Sequence, residues 1–552
     1  MVTDMALKRV RRKRPEGGRL PAPSLLALGM MLGAGSVAAQ TTVVSPTLNA
    51  SLTWTDNAGS SGIGGFGGIG GGGFGGGRRG GEDFILELSP GVSMSRDSGR
   101  LSGTLSASFR NLMYASNSDS NTSYLALTGA GRYEAVKDMF FIDADASISR
   151  SNLSVFSTRG PNDNLDVNSN NETRVFSLSP RFKFRIGDNT QGQLLYRYRW
   201  TDSGNTGLAN QNAGQWSAQI SNTQITGIFG LGLDYQRTEG SYGNASGLGG
   251  GSGIGSGSRS GLSGGKSQEV ARATLYAKVT PEFRLRGIVG RESNDYGDRG
   301  RQSSTVTGGG FDWNPTNRTT IAGTVERRIF GRGYDFSFQH RFARTAVFAT
   351  FSRDIRSSLD LIAGGGLLDP TFLALYNNPF FVQLIPDPIA RRDWLLRQLG
   401  LGSAYALTNA YYVARSLSGG FTYSLPRGVL SLTLSRSDNS RIGSGDGLST
   451  VDDFRNFNAL KSRSATLSYS HRLTPETSLN TSLTRTNSSG SGLNAADTQR
   501  TAFVVGLSSS LGPHTTGLLQ YRHQRSDGDS FGGSNNNDFT ENAVTASVGM
   551  RF

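Results

Sequence analysis

Phe176-Ser177-Leu178-Ser179-Pro180-Arg181-Phe182-Lys183-Phe184-Arg185-Ile186 puts an apolar side chain at every even position and a polar or basic one at every odd position. After the short turn Gly187–Thr190 the alternation resumes, with Leu194, Tyr196, Tyr198 and Trp200 set against Arg197 and Arg199. Successive side chains of a strand point to opposite faces, so a period of two describes a strand with one apolar face. A helix would repeat near 3.6.

The same period runs through most of the chain. Leu48, Ala50, Leu52 and Trp54 share one parity, as do Phe84, Leu86 and Leu88; Phe140, Ile142, Ala144, Ala146 and Ile148; and Leu430, Leu432 and Leu434. A soluble sheet would need a second layer to cover so long an apolar face, and almost no helical pattern is present to supply one. Left uncovered in water, such a face would aggregate, whereas lipid can cover it. Segments of about ten alternating residues between turns are the pattern of a transmembrane β-barrel. Counting them predicts an all-β, antiparallel barrel of about 22 strands, with both ends of the barrel on one rim. No blade-like repeat points to a propeller.

Connections of two kinds support this. Short ones fall at Arg96–Arg100, Glu134–Asp138, Gly187–Thr190 and Ser221–Gln224, followed by turns marked by Pro281, Pro315, Pro426, Pro475 and Pro513. Proline presets φ for a turn and would break a strand interior. Long polar or Gly-rich loops are expected at 57–82, 151–173, 201–214, 237–268, 437–459, 487–498 and 524–541. Short turns at one rim and long loops at the other match the periplasmic and extracellular ends of an outer-membrane barrel.

Composition agrees. Gly is 76 of 552 residues, about twice the roughly 7% average. No stretch of the mature chain approaches the roughly 20 apolar residues of a spanning helix. There is no Cys, which removes disulfides, thiolate metal sites and Cys nucleophiles. Residues 1–39 combine a basic start, the apolar run Leu25–Leu32 and the small residues Val37-Ala38-Ala39, the order of a cleaved secretory signal. Without it, 49 basic and 40 acidic residues remain, too mild an excess to argue for nucleic acid.

Trp54, Trp200, Trp216 and Trp313 fall on the apolar parity at strand ends, as an interfacial aromatic girdle requires. Val544, Ala546, Val548, Met550 and Phe552 alternate to the end. A last strand closing on Phe552 resembles the signal read by the barrel assembly machinery, so that machinery and outer-membrane lipid are the expected partners.

Residues 357–414 break the alternation. Asp369-Pro370 and Asp387-Pro388 each pair an N-cap with a proline at the first helical position, and the second pattern runs through Arg391, Arg392 and Trp394 to Gly400. Two short helices in an extracellular insert are expected, acting either as a lid or constriction or as a structural cap. The stretch Ile385-Pro386-Asp387-Pro388-Ile389-Ala390-Arg391-Arg392 and the later Arg415-Ser416-Leu417, with the signal, the large barrel and the Pro-marked turns, resemble the outer-membrane proteins of PEP-CTERM/exosortase systems. The resemblance implies a Gram-negative outer membrane, an exopolysaccharide locus, and possible contact with the polysaccharide or its export apparatus. It implies no mechanism.

Function must then be sought in the lumen. By parity, Arg181, Lys183, Arg185, Arg197, Arg199, Arg272, Arg284 and Arg286 face inward, opposed by Asp143, Asp145, Asp234, Asp312, Glu326 and Glu87. The small cationic surplus favours anions, including acidic sugars. His471 and His514 fall on the short-turn side, His340 ends an apolar-parity strand, and His523, beside Arg522 and Asp527, reads as a solvated loop histidine before a catalytic one. The Gly-rich run at 247–255 lacks the Lys and helix of a phosphate loop. No catalytic, cofactor or metal residues are assigned. A stretch preceding the first strand that would form a plug is not evident, which argues against a TonB-dependent receptor. The expected function is a pore or envelope export component; the alternatives are a structural or adhesive display barrel with a closed lumen, and a generic porin.

Overall fold

The computed structural model describes residues 42–58, 81–152, 154–156, 170–202, 211–222, 227–242, 266–296, 300–357, 408–445, 448, 452–492, 495–528 and 538–552. The expected signal peptide, the centres of the Gly-rich loops and the helices expected in the insert lie outside these residues.

The first strands are β1 (Thr42–Thr55), β2 (Asp83–Ser98), β3 (Leu101–Tyr114), β4 (Thr122–Val136), β5 (Phe140–Asn152) and β6 (Asn170–Ile186). Next come β7 (Thr190–Asp202), β8 (Gln211–Asn222), β9 (Phe229–Tyr242), β10 (Lys266–Lys278), β11 (Phe283–Asn294) and β12 (Gln302–Thr316). They are followed by β13 (Thr319–Arg328), β14 (Gly331–Arg341), β15 (Thr345–Arg356), β16 (Tyr412–Leu425) and β17 (Gly428–Arg441). A one-turn helix α1 (Asp453–Asn456) precedes β18 (Phe457–Arg472), β19 (Thr477–Gly492), β20 (Ala496–Gly512), β21 (Thr515–Gly528) and β22 (Phe539–Arg551).

Each strand pairs antiparallel with its neighbours in sequence, and β1 pairs with β22 from Thr47↔Arg551 to Thr55↔Ala543, so the sheet of 22 strands closes on itself. Closure leaves no unpaired edge, the condition for a sheet to lie in hydrocarbon. Exposure identifies the two faces. Leu48, Leu52, Phe84, Leu178, Leu434 and Leu467 stand exposed on the outer wall, while Thr53, Thr55, Ser89, Ser177, Ser179, Thr433 and Thr466 are buried on the opposite parity. The molecule is a transmembrane β-barrel whose apolar band faces lipid.

The closing seam carries a polar lock at the long-loop rim. The fully buried Glu541 accepts from Thr55 Oγ1 at 2.8 Å and Gln524 Nε2 at 2.6 Å, and pairs with Arg522 at 3.0 Å. Asn542 donates from its backbone and side-chain nitrogens to Asp56, both at 2.7 Å. Charge-assisted bonds of this kind are about twice as strong as neutral ones, and these tie the first strand to the last.

The strands outrun their alternating segments on the long-loop side. The expected loop 487–498 shrinks to 493–495, because β19 runs to Gly492 and β20 begins at Ala496. Likewise β17 runs to Arg441, and β16 begins at Tyr412, inside the range assigned to the insert. Above the lipid a ladder needs only its backbone bonds, so Ser488, Ser489 and Gly490 extend β19 without any alternation to announce it. Ile329-Phe330 is likewise a tight connection on the long-loop side, followed by Gly331 at φ 101°. Trp216 faces outward at mid-strand, packed on Tyr196 with ring centroids 4.5 Å apart, and not at a strand end.

Candidate functional site: the charged half of the inner wall

All eight basic residues singled out above lie on the inward parity, and half of them are neutralised within the wall. Arg181 pairs with Asp143 at 2.8 Å, Arg284 and Arg286 share Asp312 at 2.8 and 3.1 Å, and Arg272 meets Asp234 at 3.4 Å and Glu326 at 3.1 Å. Arg197 donates to Ser179 Oγ at 3.1 Å, and Arg199 is buried. Lys183 lies over the Phe141 ring, and Arg185 stands exposed near the short-turn rim. The side chains thus form a cross-strand network more than a free cationic ring.

Its centre is Arg328, at the end of β13. Its guanidinium grips Glu292 of β11 in a fork, Nε to Oε2 at 2.7 Å and Nη2 to Oε1 at 2.8 Å, and reaches Glu326 and Asp354 at 3.4 Å each. Glu292 is fully buried and also accepts from Gln268 Nε2 at 3.2 Å and the Ile329 amide at 3.3 Å. These contacts cross β12, which lies between β11 and β13. At this height β12 presents Ser304, opposite Glu292, and Val306, which is fully buried.

Above this network lies a polar cavity of about 190 Å³. Arg197, Arg199, Arg272 and Arg328 line it with Gln215, Gln236, Gln268, Thr238 and Asp354. Tyr296 and Tyr411 form its rim, stacked at 3.6 Å, and Tyr296 donates to Gln268 Oε1 at 3.1 Å. Ser357 and Tyr411, the two roots of the insert, both line the cavity. Asp369, Pro370, Asp387, Pro388, Arg391, Arg392 and Trp394 lie outside the described residues. The other half of the wall is built differently. Across β15–β19 the inward positions carry hydroxyls bonded in ladders: Thr350 to Ser418 at 2.6 Å, Ser431 to Ser468 at 2.6 Å and Thr466 to Thr484 at 3.2 Å.

At the mouth, two adjacent carboxyls hold the loops together. Asp452, the N-cap of α1, accepts from Thr408 Oγ1, the Asn409 amide and the Phe454 amide, all at 2.9 Å. Asp453 accepts from Ser154 Oγ at 2.7 Å and the Val155 amide at 2.9 Å. They join the tail of the insert, the β5–β6 loop and α1 around an apolar cluster of Tyr412, Phe454, Phe457 and Leu460, with Val155 and Phe156 packed against it. Burial pushes Asp452 up to about 6, and burial aided by repulsion from Asp452 pushes Asp453 up to about 7. The raised values mean that the fold favours the protonated forms. That stabilisation is complete below the ordinary 3.8 and is lost as the pH rises through about 6 and then 7. Amide protection over 154–156, 408–411 and 452–456 is expected to weaken as the pH rises from about 4 to about 7 and to level off above it. After correction for intrinsic exchange, the loss should reach roughly a hundredfold per pH unit while both carboxyls titrate and roughly tenfold once only Asp453 does. Asp453→Asn should flatten the upper part of that profile; an unchanged slope would show that these carboxyls do not govern the mouth.

Glu292, Arg328, Asp354, Glu541, Asp452 and Asp453 were absent from the sequence-based site. A signal existed for Glu292: extending the inward parity of Arg284 and Arg286 by six residues reaches it. Asp452 and Asp453 sit in a loop without periodicity, and nothing local marks them. Two of the four histidines are bound to a neighbouring strand, His340 Nδ1 to Thr319 Oγ1 at 2.7 Å and His523 Nδ1 to Asn542 Oδ1 at 2.8 Å. Among the described residues no group of three or more metal-binding side chains converges.

No family model matches the sequence, and no curated protein matches it. Solved structures do share its architecture. The FrpB iron transporter from Neisseria meningitidis is 11% identical, with 92% of this chain and 82% of that chain covered at a TM-score of 0.48. The siderophore receptor PirA from Acinetobacter baumannii is 9% identical, covered over 92% and 80% at 0.46. A mutant form of the ferric enterobactin receptor PfeA from Pseudomonas aeruginosa is 11% identical, covered over 92% and 80% at 0.45. The likeness is one of barrel fold alone.

Proposed function

We propose that the protein is a non-enzymatic transport component of the outer membrane, a conduit for anionic, polyhydroxylated molecules of the acidic-sugar class that serves an exopolysaccharide/PEP-CTERM surface system. The observation that carries this is the division of the inner wall. Arginines and amides, Arg197, Arg199, Arg272, Gln215, Gln236 and Gln268, line a cavity on one side, and hydroxyl ladders line the other. Guanidinium forks bind carboxylates, while amides and hydroxyls exchange hydrogen bonds with sugar hydroxyls at little cost. The polysaccharide context comes from the resemblance of the sequence at 385–392 and 415–417. Phe552 is exposed at the short-turn rim, its amide donating to the Pro46 carbonyl at 2.9 Å, which supports its reading as an assembly signal.

In planar bilayers under a salt gradient the wild-type protein should conduct with a reversal potential favouring anions. Changing Arg181, Arg185, Arg197 and Arg199 together to Gln should lower the anion-to-cation permeability ratio by roughly twofold or more. Cation preference in the wild type would refute the anion conduit. A folded protein with no conductance would favour the display barrel with a closed lumen.

A further inference from the structure

The outer wall across β15–β19 changes character at one height. Going from the short turns toward the long loops, the outward positions run Val347, Ala349, Phe351 and then Arg353 on β15; Phe421, Gly419, Leu417 and then Arg415 on β16; Leu430, Leu432, Leu434 and then Arg436 on β17; Leu467, Ala465 and then Arg463 and Lys461 on β18; and Leu483 and then Arg485 on β19. Arg353 lies directly opposite Arg415, and Arg436 directly opposite Arg463. Like charges facing each other across a ladder are destabilising, and along this face Asp438, bound to Arg436 at 2.9 Å, is the sole carboxylate among the described residues. Arg463 and Arg485 have no carboxylate partner among them.

Directly beneath these arginines is a groove of about 450 Å³ in the outer wall. Ala349, Gly419 and Ala465 line its floor, Leu434, 51% exposed, stands between Gly419 and Ala465, Leu417, 47% exposed, flanks it, and Arg436, Arg463 and Arg485 close its upper end. Small residues on β15, β16 and β18 have hollowed an apolar groove on either side of Leu434 into a wall that otherwise faces lipid, and it ends at three guanidinium groups. The occupant must carry hydrocarbon within the bilayer and phosphate at the headgroup level on the long-loop side.

We infer that this groove is a binding site for a phosphorylated, multiply acylated glycolipid of the outer leaflet, its acyl chains lying over Ala349 and Gly419 and over Ala465 on either side of Leu434, and its phosphate held by Arg436, Arg463 and Arg485. Guanidinium–phosphate pairs are short and bidentate, and a phosphate between Arg436 and Arg463 turns their repulsion into attraction. Diffuse attraction to headgroups would need neither the groove nor the convergence of charge at its end.

The test is native mass spectrometry of the full detergent-solubilised barrel titrated with hexa-acyl bisphosphoryl lipid A and with the same lipid stripped of phosphate. The wild type should retain one bisphosphoryl lipid with about tenfold or greater preference over the stripped form. Arg463→Gln with Arg485→Gln should lose that preference. Gly419→Leu, which fills the groove and keeps every charge, should weaken binding of both lipids. Heat-shifted mobility on gels establishes that each variant is folded. Equal binding of the two lipids, undiminished binding by the arginine and glycine variants, or full competition by millimolar inorganic phosphate would each overturn the assignment. These readouts are independent of conductance, so their failure is distinct from failure of the conduit.

Discussion

Replacing Arg328 with alanine is expected to destabilise the folded barrel by about 3–5 kcal/mol, the cost of breaking a buried ion pair from one side. The guanidinium is 5% exposed and Glu292 is 0% exposed, so the substitution strands a carboxylate that water cannot reach. Glu326 and Asp354, each 3.4 Å from the same guanidinium, would then repel it with nothing between them. Arg328→Lys keeps the charge and loses the fork, so it should fall between wild type and alanine. Glu292→Gln combined with Arg328→Gln should cost clearly less than the sum of the single changes, since neither partner is left charged alone. Reversible urea unfolding in lipid vesicles, followed by tryptophan fluorescence, reads each variant. Near-wild-type stability of Arg328→Ala would mean that the network is solvated in the membrane and contributes little.

A charge on the lipid face should be nearly as damaging. Leu467 and Ser468 are adjacent on β18 and point to opposite sides: Leu467 is 44% exposed on the outer wall, and Ser468 shares a 2.6 Å hydrogen bond with Ser431 inside. Leu467→Arg is expected to cost about 2–4 kcal/mol near the bilayer midplane. Ser468→Arg places the same charge in the lumen and should cost less than half as much in the same unfolding experiment. The reverse order would invert the assignment of the two faces throughout the barrel.

Much of the fold was written locally. The inward and outward faces of β6 and β7 follow from covalent geometry alone, because each residue reverses the direction of its neighbour. The odd residues from Ser177 to Arg185 face the lumen whatever else the chain does. The short turns were legible for the same reason: Gly99 and Gly187, both at φ 60°, sit where the chain must reverse and a side chain would strain the backbone. Strand ends above the lipid were not legible. Hydrogen bonds hold Gly490 against Ala496 without asking anything of their side chains, so the sequence there looks like loop.

The inventory of inward charge was likewise available from parity, whereas its pairing was not. Arg272 reaches Glu326 from β10 to β13, and Arg328 reaches Glu292 across β12. Both depend on the stagger and curvature of neighbouring strands. The outer-wall arginines show the same division. Parity alone turns Arg436, Arg463 and Arg485 outward, but only the register of β17, β18 and β19 sets them at one height above a common groove. The amino-acid sequence determined that this chain forms a barrel and which side each strand residue takes, because alternation is a property of single strands. Tertiary structure decided which charges meet, where the groove lies and how the seam at Glu541 closes, because those depend on distances between strands that no local pattern encodes.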